Sequence, residues 1–274
     1  MQVKSIGALK GGDIALLGIP WDENSSHVRG AAAAPPVIRA AILNESSNMA
    51  AEDGTDLHAA PRFVDVGDLS LASGEVAADQ ITDGIRQILN RGARALSLGG
   101  DHAVTYPVLR AYGEAHPDLT ILHIDAHPDL YEDFDGNRLS HASPFARIME
   151  EGLAGRLVQV GIRTITTHQR EQAKRYGVEV IDMLHFAPSL TLQFTGPVYM
   201  SVDLDGLDPA FAPGVAHQEP GGLSTRDVLG LLGGVEGPLV GADIVELLPA
   251  RDVGGRTAMV AAKLVKEMAA RMLR

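Results

Sequence analysis

Short, almost wholly apolar runs recur along the chain, separated by longer stretches of helical period. They are DIALLGI at 13–19, RFVDVGD at 62–68, ARALSLGGD at 93–101, LTILHIDAH at 119–127, LVQVGIR at 157–163, VEVIDM at 178–183, VYMSVDLD at 198–205 and LVGADIVEL at 239–247. Runs this short and this apolar predict strands buried on both faces, as in parallel sheets. Segments 76–91 and 107–116 space their apolar residues as amphipathic helices do, and residues 257–274 predict a closing helix. The alternation predicts an α/β fold built from βαβ units. In the Ala-rich stretch 30–42, the Pro-Pro pair predicts a loop before a helix that starts near Val37. No repeat, linker or boundary interrupts the pattern, so residues 1–274 are expected to form one domain.

Charge and composition narrow the function. With 23 basic against 35 acidic residues the net charge is −12, which argues against nucleic acid or an anionic membrane surface as a partner. The chain has no cysteine, so any metal must be held by His, Asp and Glu, a donor set that favours Mn, Mg, Fe or Zn. No window is long and apolar enough to suggest a membrane span. The opening residues lack a basic segment and a cleavage site and read as a first strand, from which a cytoplasmic protein is expected.

In parallel sheets, functional side chains collect beyond the carboxyl ends of strands. Three of the runs end in residues that bind hard cations. LSLGGDHAVTYP ends in Asp101 and His102, behind a glycine pair, Gly99 and Gly100, that permits close backbone approach or unusual dihedrals. HIDAHPD supplies Asp125, His127 and Asp129, which converge on one side if the extended geometry continues past the strand. SVDLDGLDPAFAPG supplies Asp203, Asp205 and Asp208. Asp-His after two glycines is, taken alone, more often a turn or helix cap than a ligand, and Asp208 reads as an Asp-Pro turn residue. The two alternating acidic motifs are different, because carboxylates facing one another beside a buried sheet repel and are costly to desolvate unless a cation joins them. His102, Asp125, His127, Asp129, Asp203 and Asp205 together suffice for two divalent cations with shared carboxylates.

These motifs, with DAHPDLYEDFDGNRLSHASPFARI and GADIVELLPARD, resemble the ureohydrolases, the arginase and agmatinase family, over nearly the whole chain. Within it, GNRLSHAS and APGVAHQEPGGLS are most similar to plant-type arginases. The resemblance implies a three-layer α/β/α fold with a mainly parallel sheet of about eight strands. It implies two Mn²⁺ ions per chain, one among His102, Asp125, Asp129 and Asp203 and the other among His127, Asp125, Asp203 and Asp205. Asp125 and Asp203 would bridge, and a water shared by cations roughly 3.5–4 Å apart becomes the nucleophile. Asp129 would orient that water, Glu246 would hold the substrate guanidinium, and His141 would deliver a proton to the leaving amine, its alternative being an exposed loop histidine. His123 is expected to support the site or pack in the core rather than ligate, and His217 either touches substrate or braces its loop. A homo-oligomer, trimer or hexamer, is expected by the same resemblance.

The implied reaction is hydrolysis of a guanidino compound to urea and an amine, foremost L-arginine to L-ornithine. Agmatine or another ω-guanidino acid is the runner-up, and a catalytically silent arginine sensor or a dinuclear phosphoesterase is a more distant alternative. Animal arginases place an acid for the substrate α-amino group shortly after the GIR strand, whereas this chain reads GIRTITTHQ. Asn137, Ser140 and His217 are the neutral or weakly basic groups expected to meet the α-carboxylate. That expectation assumes that Glu132, Asp133 and Asp135 face solvent, since acids pointing inward would favour dicationic agmatine.

Overall fold

Each of the eight apolar runs forms a strand in the computed structural model, which describes residues 1–274. In chain order the elements are β1 (Gln2–Val3), β2 (Ile14–Gly18), α1 (Ala34–Ile42), β3 (Phe63–Asp68), α2 (Gly74–Leu89), β4 (Arg94–Leu98), α3 (Thr105–Ala115) and β5 (Thr120–Ile124). There follow α4 (Pro144–Glu150), β6 (Arg156–Ile162), α5 (Thr167–Tyr176), β7 (Glu179–Asp182), β8 (Val198–Asp203), α6 (Thr225–Gly233), β9 (Leu239–Val245) and α7 (Arg256–Leu273). The strands form one sheet in the order β1-β3-β2-β4-β9-β8-β5-β6-β7, and every pairing is parallel. The ninth strand beyond the expected eight is β1, whose two exposed residues pair with Val64 and Asp65. A strand that buries nothing leaves no apolar run to read.

Alternation along the strands separates two cores. Leu96, Leu122, Ile124, Met200 and Val202 face one way and pack with Ile38, Val228 and Leu264 of α1, α6 and α7. Ala95, Ile121 and Tyr199 face the other way and pack with Ile81, Val108 and Ile148 of α2, α3 and α4. The result is the three-layer α/β/α arrangement. Each fully buried side chain of Leu or Ile size contributes about 1.5–3 kcal/mol of apolar burial, which makes the two-sided sheet the rigid base of the molecule. No helix is long and apolar enough to cross a membrane.

The helix expected near Val37 starts earlier, because Pro35 and Pro36 occupy the first turn of α1 instead of a preceding loop. First-turn amides have no intrahelical partner, so proline costs nothing there. The four central strands, β4, β9, β8 and β5, lie level at their carboxyl ends, with Leu98 opposite Ile244, Ile244 opposite Val202 and Val202 opposite Ile124. The loops that leave these four strands therefore emerge side by side.

Candidate metal centre and active site

Beyond β4, Gly100 runs so close to the loop after β2 that a Cβ would meet the Trp21 carbonyl oxygen at 2.0 Å. Close approach is the role of this glycine. Asp101 follows and caps the short turn His102–Val104, accepting from the Ala103 amide at 3.1 Å, while its other oxygen accepts from the Asn24 amide and the Ser25 hydroxyl. His102 is thereby aimed across the sheet ends. Its Nδ1 lies 3.1 Å from one carboxylate oxygen each of Asp125, Asp129 and Asp203, yet makes no hydrogen bond of acceptable geometry with any of them. Four donor atoms thus face a common volume rather than one another.

The opposite side of the ring explains why. Asp243, fully buried on β9, accepts from Ser201 Oγ at 2.6 Å, Tyr199 Oη at 2.8 Å and Thr105 Oγ1 at 2.9 Å. The single hydroxyl proton of Ser201 goes to Asp243, so its oxygen accepts from His102 Nε2 at 3.0 Å. That bond places the ring proton on Nε2 and turns the Nδ1 lone pair toward three acids. Such an arrangement is repulsive without positive charge at its centre and suits a hard cation.

A second cluster adjoins the first. His127 Nδ1 lies 3.2 Å from Asp205 Oδ2 and 3.4 Å from Asp125 Oδ1, while Asp125 Oδ2 faces His102. Asp125 therefore offers one oxygen to each cluster, one of the ways in which a carboxylate can serve two cations. Asp203 presents only Oδ2 to the first cluster and commits Oδ1 to the Asp205 amide at 2.7 Å, and no approach to His127 accompanies it. The convergence of 125, 127 and 129 does not come from strand pleating. Asp125 Oδ1 accepts from the His127 amide at 2.6 Å, which turns the chain immediately after β5, and Asp129 adopts φ 50°. Gly206 permits the close fit of the two acidic turns, since a Cβ there would stand 2.8 Å from the Asp125 amide.

By distance alone His123 also groups with His102 and Asp125. Its nitrogens are already occupied: the Gln159 amide donates to Nδ1 at 3.0 Å, and Nε2 donates to Asp125 at 2.8 Å. The ring stacks on Phe145 with centroids 3.8 Å apart, and burial lowers its pKa to about 4. His123 therefore braces Asp125. Asp208 forms a turn, accepting from the amides of Ala210, Gly221 and Gly222.

The charges of these groups are strongly coupled. Burial opposes protonation of His102 and His127, but the facing carboxylates outweigh it and raise His102 well above the usual imidazole range and His127 to about 12. Burial and Asp125 raise Asp129 to about 6; burial raises Asp205 to about 6 and, with Asp205 and Asp125, Asp203 well above the usual carboxylate range. Asp125 resists burial through His123 and its hydrogen bonds and stays well below that range. So many acids in one buried volume call for positive charge, supplied by protons or by cations that displace them. The donor set of imidazole and carboxylate fits two hard divalent ions.

Above the clusters stands Glu246, directly after β9, in the left-handed region at φ 65° where a non-glycine residue is strained. Its Oε1 accepts from the His102 amide at 2.9 Å and from His141 Nδ1 at 2.8 Å, leaving Oε2 uncommitted. His141 is 7% exposed, which removes the exposed-loop reading. Two influences compete at its ring. Burial lowers its pKa, but Glu246 raises it to about 9, whereas the Ser26 amide, donating to Nε2 at 3.1 Å, favours an unprotonated Nε2. The Ser26 hydroxyl at 2.8 Å can donate or accept, so Nε2 is served in either protonation state.

The cavity over this floor has a volume of about 340 Å³ and is lined by Ser26, His127, Tyr131, His141, His217 and Glu219 among others. His217 sits with its ring 5.5 Å from that of His141 and 5.6 Å from that of His127, and burial together with those neighbours lowers its pKa to about 4. Asn137 and Ser140 are not brought into this cavity. They line a smaller one of about 180 Å³ that shares Ser26 and Phe134 with it. Asn137 is exposed and donates to Asn24 Oδ1, and Ser140 Oγ accepts from the Ala142 amide. Glu132, Asp133 and Asp135 are exposed, with Glu132 paired to Arg175 and Asp133 accepting from the Gly136 amide.

Asn24, Ser25, Ser26, Ser201, Asp243 and Glu219 were not singled out from sequence. Ser201 and Asp243 carry a legible signal, a polar residue within an otherwise apolar buried strand, which must find a partner. The serines and Asn24 reach the site from far away in sequence and carry none.

Hard-cation donors beneath a buried carboxylate and imidazole suit attack by activated water, so fold and site together define an α/β metal-dependent hydrolase. The arginase-family profile matches residues 12–270. Arginase 1, mitochondrial, from Arabidopsis thaliana is 48% identical, with 98% of this chain and 84% of the relative covered. The solved arginase from Medicago truncatula superposes with a TM-score of 0.90 at 44% identity, over 97% of this chain and 89% of that one. Agmatinase, mitochondrial, from Gallus gallus is 35% identical over 94% of this chain and 81% of its own length. The chain belongs to the arginase family and is a ureohydrolase. The cytoplasmic expectation is overturned by the same comparison, since the similar Arabidopsis arginase is a mitochondrial protein by name. The apolar run near the start forms β2, which reports on the fold of residues 14–18 and carries no information about compartment.

Proposed function

We propose that residues 1–274 form one catalytic domain that hydrolyses L-arginine to L-ornithine and urea with two Mn²⁺ ions. The observation that carries this reading is Glu246, a buried carboxylate with one oxygen fixed by His102 and His141 and the other free beside the metal-ligand clusters. A planar cation with paired N–H donors is the natural partner of such an oxygen. His102, Asp125, Asp129 and Asp203 would hold one ion, and His127, Asp125, Asp205 and Asp203 the other. When bound, the pair supplies Lewis-acid activation of water near neutral pH.

The protein's own groups do the rest. Glu246 orients the guanidinium over the clusters, and Asp129 accepts a hydrogen bond from the attacking water and fixes its direction. His141 Nε2 gives its proton to the departing amine, and Glu246 at Nδ1 stabilises the imidazolium before transfer. Tyr131 and His217 wall the cavity. Arginine is the favoured substrate because Glu132, Asp133 and Asp135 are exposed and His217 offers the cavity a neutral contact for an α-carboxylate, whereas Asn137 and Ser140 open into the neighbouring cavity. A homo-oligomer, trimer or hexamer, belongs to the same reading and is checked by light scattering. Urea release from arginine, agmatine and 4-guanidinobutyrate, compared as kcat/KM with manganese present, tests the assignment. Preference for agmatine would overturn the substrate, and no urea from any of the three would overturn the function.

A further inference from the structure

The segment after β6 puts only Thr164, Ile165, Thr166 and Gln169 into the cavity, so no acid from there can meet a substrate amine. The cavity nevertheless has one carboxylate in its lining, Glu219, and no lysine or arginine. It arrives from a different loop, the one carrying His217, between β8 and α6.

That loop is anchored as a subsite requires. Arg163 Nε and Nη2 donate to the Glu219 carbonyl at 2.9 and 2.6 Å, and the same guanidinium donates to the carbonyls of Gly161, Asp205, Gly206 and Leu207. Just beyond, the amides of Gly221 and Gly222 close onto the Asp208 carboxylate at 2.6 and 3.2 Å. A Cβ on Gly222 would strike Arg163 Nη2 at 2.7 Å, so the packing leaves this turn no slack. Glu219 is thus tied through its backbone to the turn that carries Asp205. Arg163 spends its donors on carbonyls, and the Glu219 carboxylate keeps its acceptor capacity for a ligand.

We infer that Glu219 receives the ammonium at the end of the substrate remote from the guanidinium, and so selects guanidino compounds that carry an ammonium over those ending in a carboxylate alone. Arginine and agmatine satisfy this rule; 4-guanidinobutyrate does not. The inference rests on the ureohydrolase reading and assigns it a substrate class. A half-buried carboxylate on an anchored loop can form a charge-assisted hydrogen bond with an ammonium, and a substrate lacking that group leaves the acid facing a carboxylate.

The test is Glu219→Gln, with manganese content and melting temperature checked against the parent enzyme. Loss of one charged hydrogen bond should lower kcat/KM for arginine and agmatine roughly ten- to a hundredfold, mainly through KM, and should not lower it for 4-guanidinobutyrate, whose carboxylate no longer faces an acid. Equal losses on all three substrates, or no loss on any, would overturn the inference. Calorimetric binding of L-ornithine against 5-aminovalerate, which differ only in the α-ammonium, reads the same subsite without turnover. The parent protein should prefer ornithine and Glu219→Gln should lose the preference. Retained preference in the variant, or none in the parent, sinks the inference. A preference that collapses as expected in a protein releasing no urea would sink the function and keep the subsite.

Discussion

Ser201→Ala isolates the contact that fixes the His102 tautomer. The hydroxyl lies 2.6 Å from Asp243 Oδ1 and 3.0 Å from His102 Nε2, and all three side chains are fully or almost fully buried. Removing it strands the Nε2 proton without an acceptor, a cost of about 1–3 kcal/mol for a buried polar group. It also frees the ring to move its proton to Nδ1, where it would compete with the metal. Asp243 keeps Tyr199 and Thr105 as donors, so its own desolvation is mostly still compensated. Loss of a partner that orients a metal-bound histidine typically weakens metal affinity about 10- to 100-fold, equivalent to about 1.4–2.8 kcal/mol, in line with the unsatisfied-proton cost. The assay is calorimetric titration of chelator-stripped protein with Mn²⁺. The ion on the His102 side should weaken by that factor, while the ion on the His127 side changes little. Parent affinity at both sites in a folded variant would refute the tautomer argument, and selective weakening on the His127 side would mean that the two clusters are misassigned.

His141→Asn should lower turnover with arginine by about 10²-fold while leaving manganese content intact, because it removes the proton donor and not a ligand. Glu246→Gln should lower kcat/KM by about 10- to 100-fold, since an amide cannot pair with a guanidinium; an active variant would remove Glu246 from substrate binding. Burial lowers the His141 pKa but Glu246 raises it from 6.5 to about 9, so its stabilising contribution is fully present below pH 6.5 and fades as pH rises through 9. Denaturant unfolding in chelator between pH 6 and 10 should therefore show a falling slope that flattens in His141→Asn. Apparent Mn²⁺ affinity should rise with pH, because protons held by His102 and His127 must leave first; a pH-independent affinity would argue against imidazole ligation.

The eight longer strands were legible because each is a short, largely apolar run between helical periods, and β1 was not because its two residues bury nothing. Of the metal-type residues, His102, Asp125, His127, Asp129, Asp203 and Asp205 all stand at the strand ends anticipated for them, since acids at the ends of buried strands need a cation. What the motifs could not show is how each carboxylate divides its oxygens. Asp203 turns one oxygen to the Asp205 amide, a local turn effect invisible in a D-x-D pattern. Nor could they show that Asn137 and Ser140 open into a neighbouring cavity, because their placement depends on Asn24 and Ser26, more than a hundred positions away. Glu219 carried no signal in the sequence, because its position in the cavity follows from Arg163, which joins two loops through backbone carbonyls alone.

Guanidino hydrolysis by this chain should depend on two cations held in these clusters. Chelator-stripped protein titrated with Mn²⁺, with urea release from L-arginine followed at each step, measures that directly. Activity should be absent at the start and reach its plateau at two equivalents per chain. Urea release that needs no manganese, or a plateau reached at one equivalent, would contradict the two-metal reading.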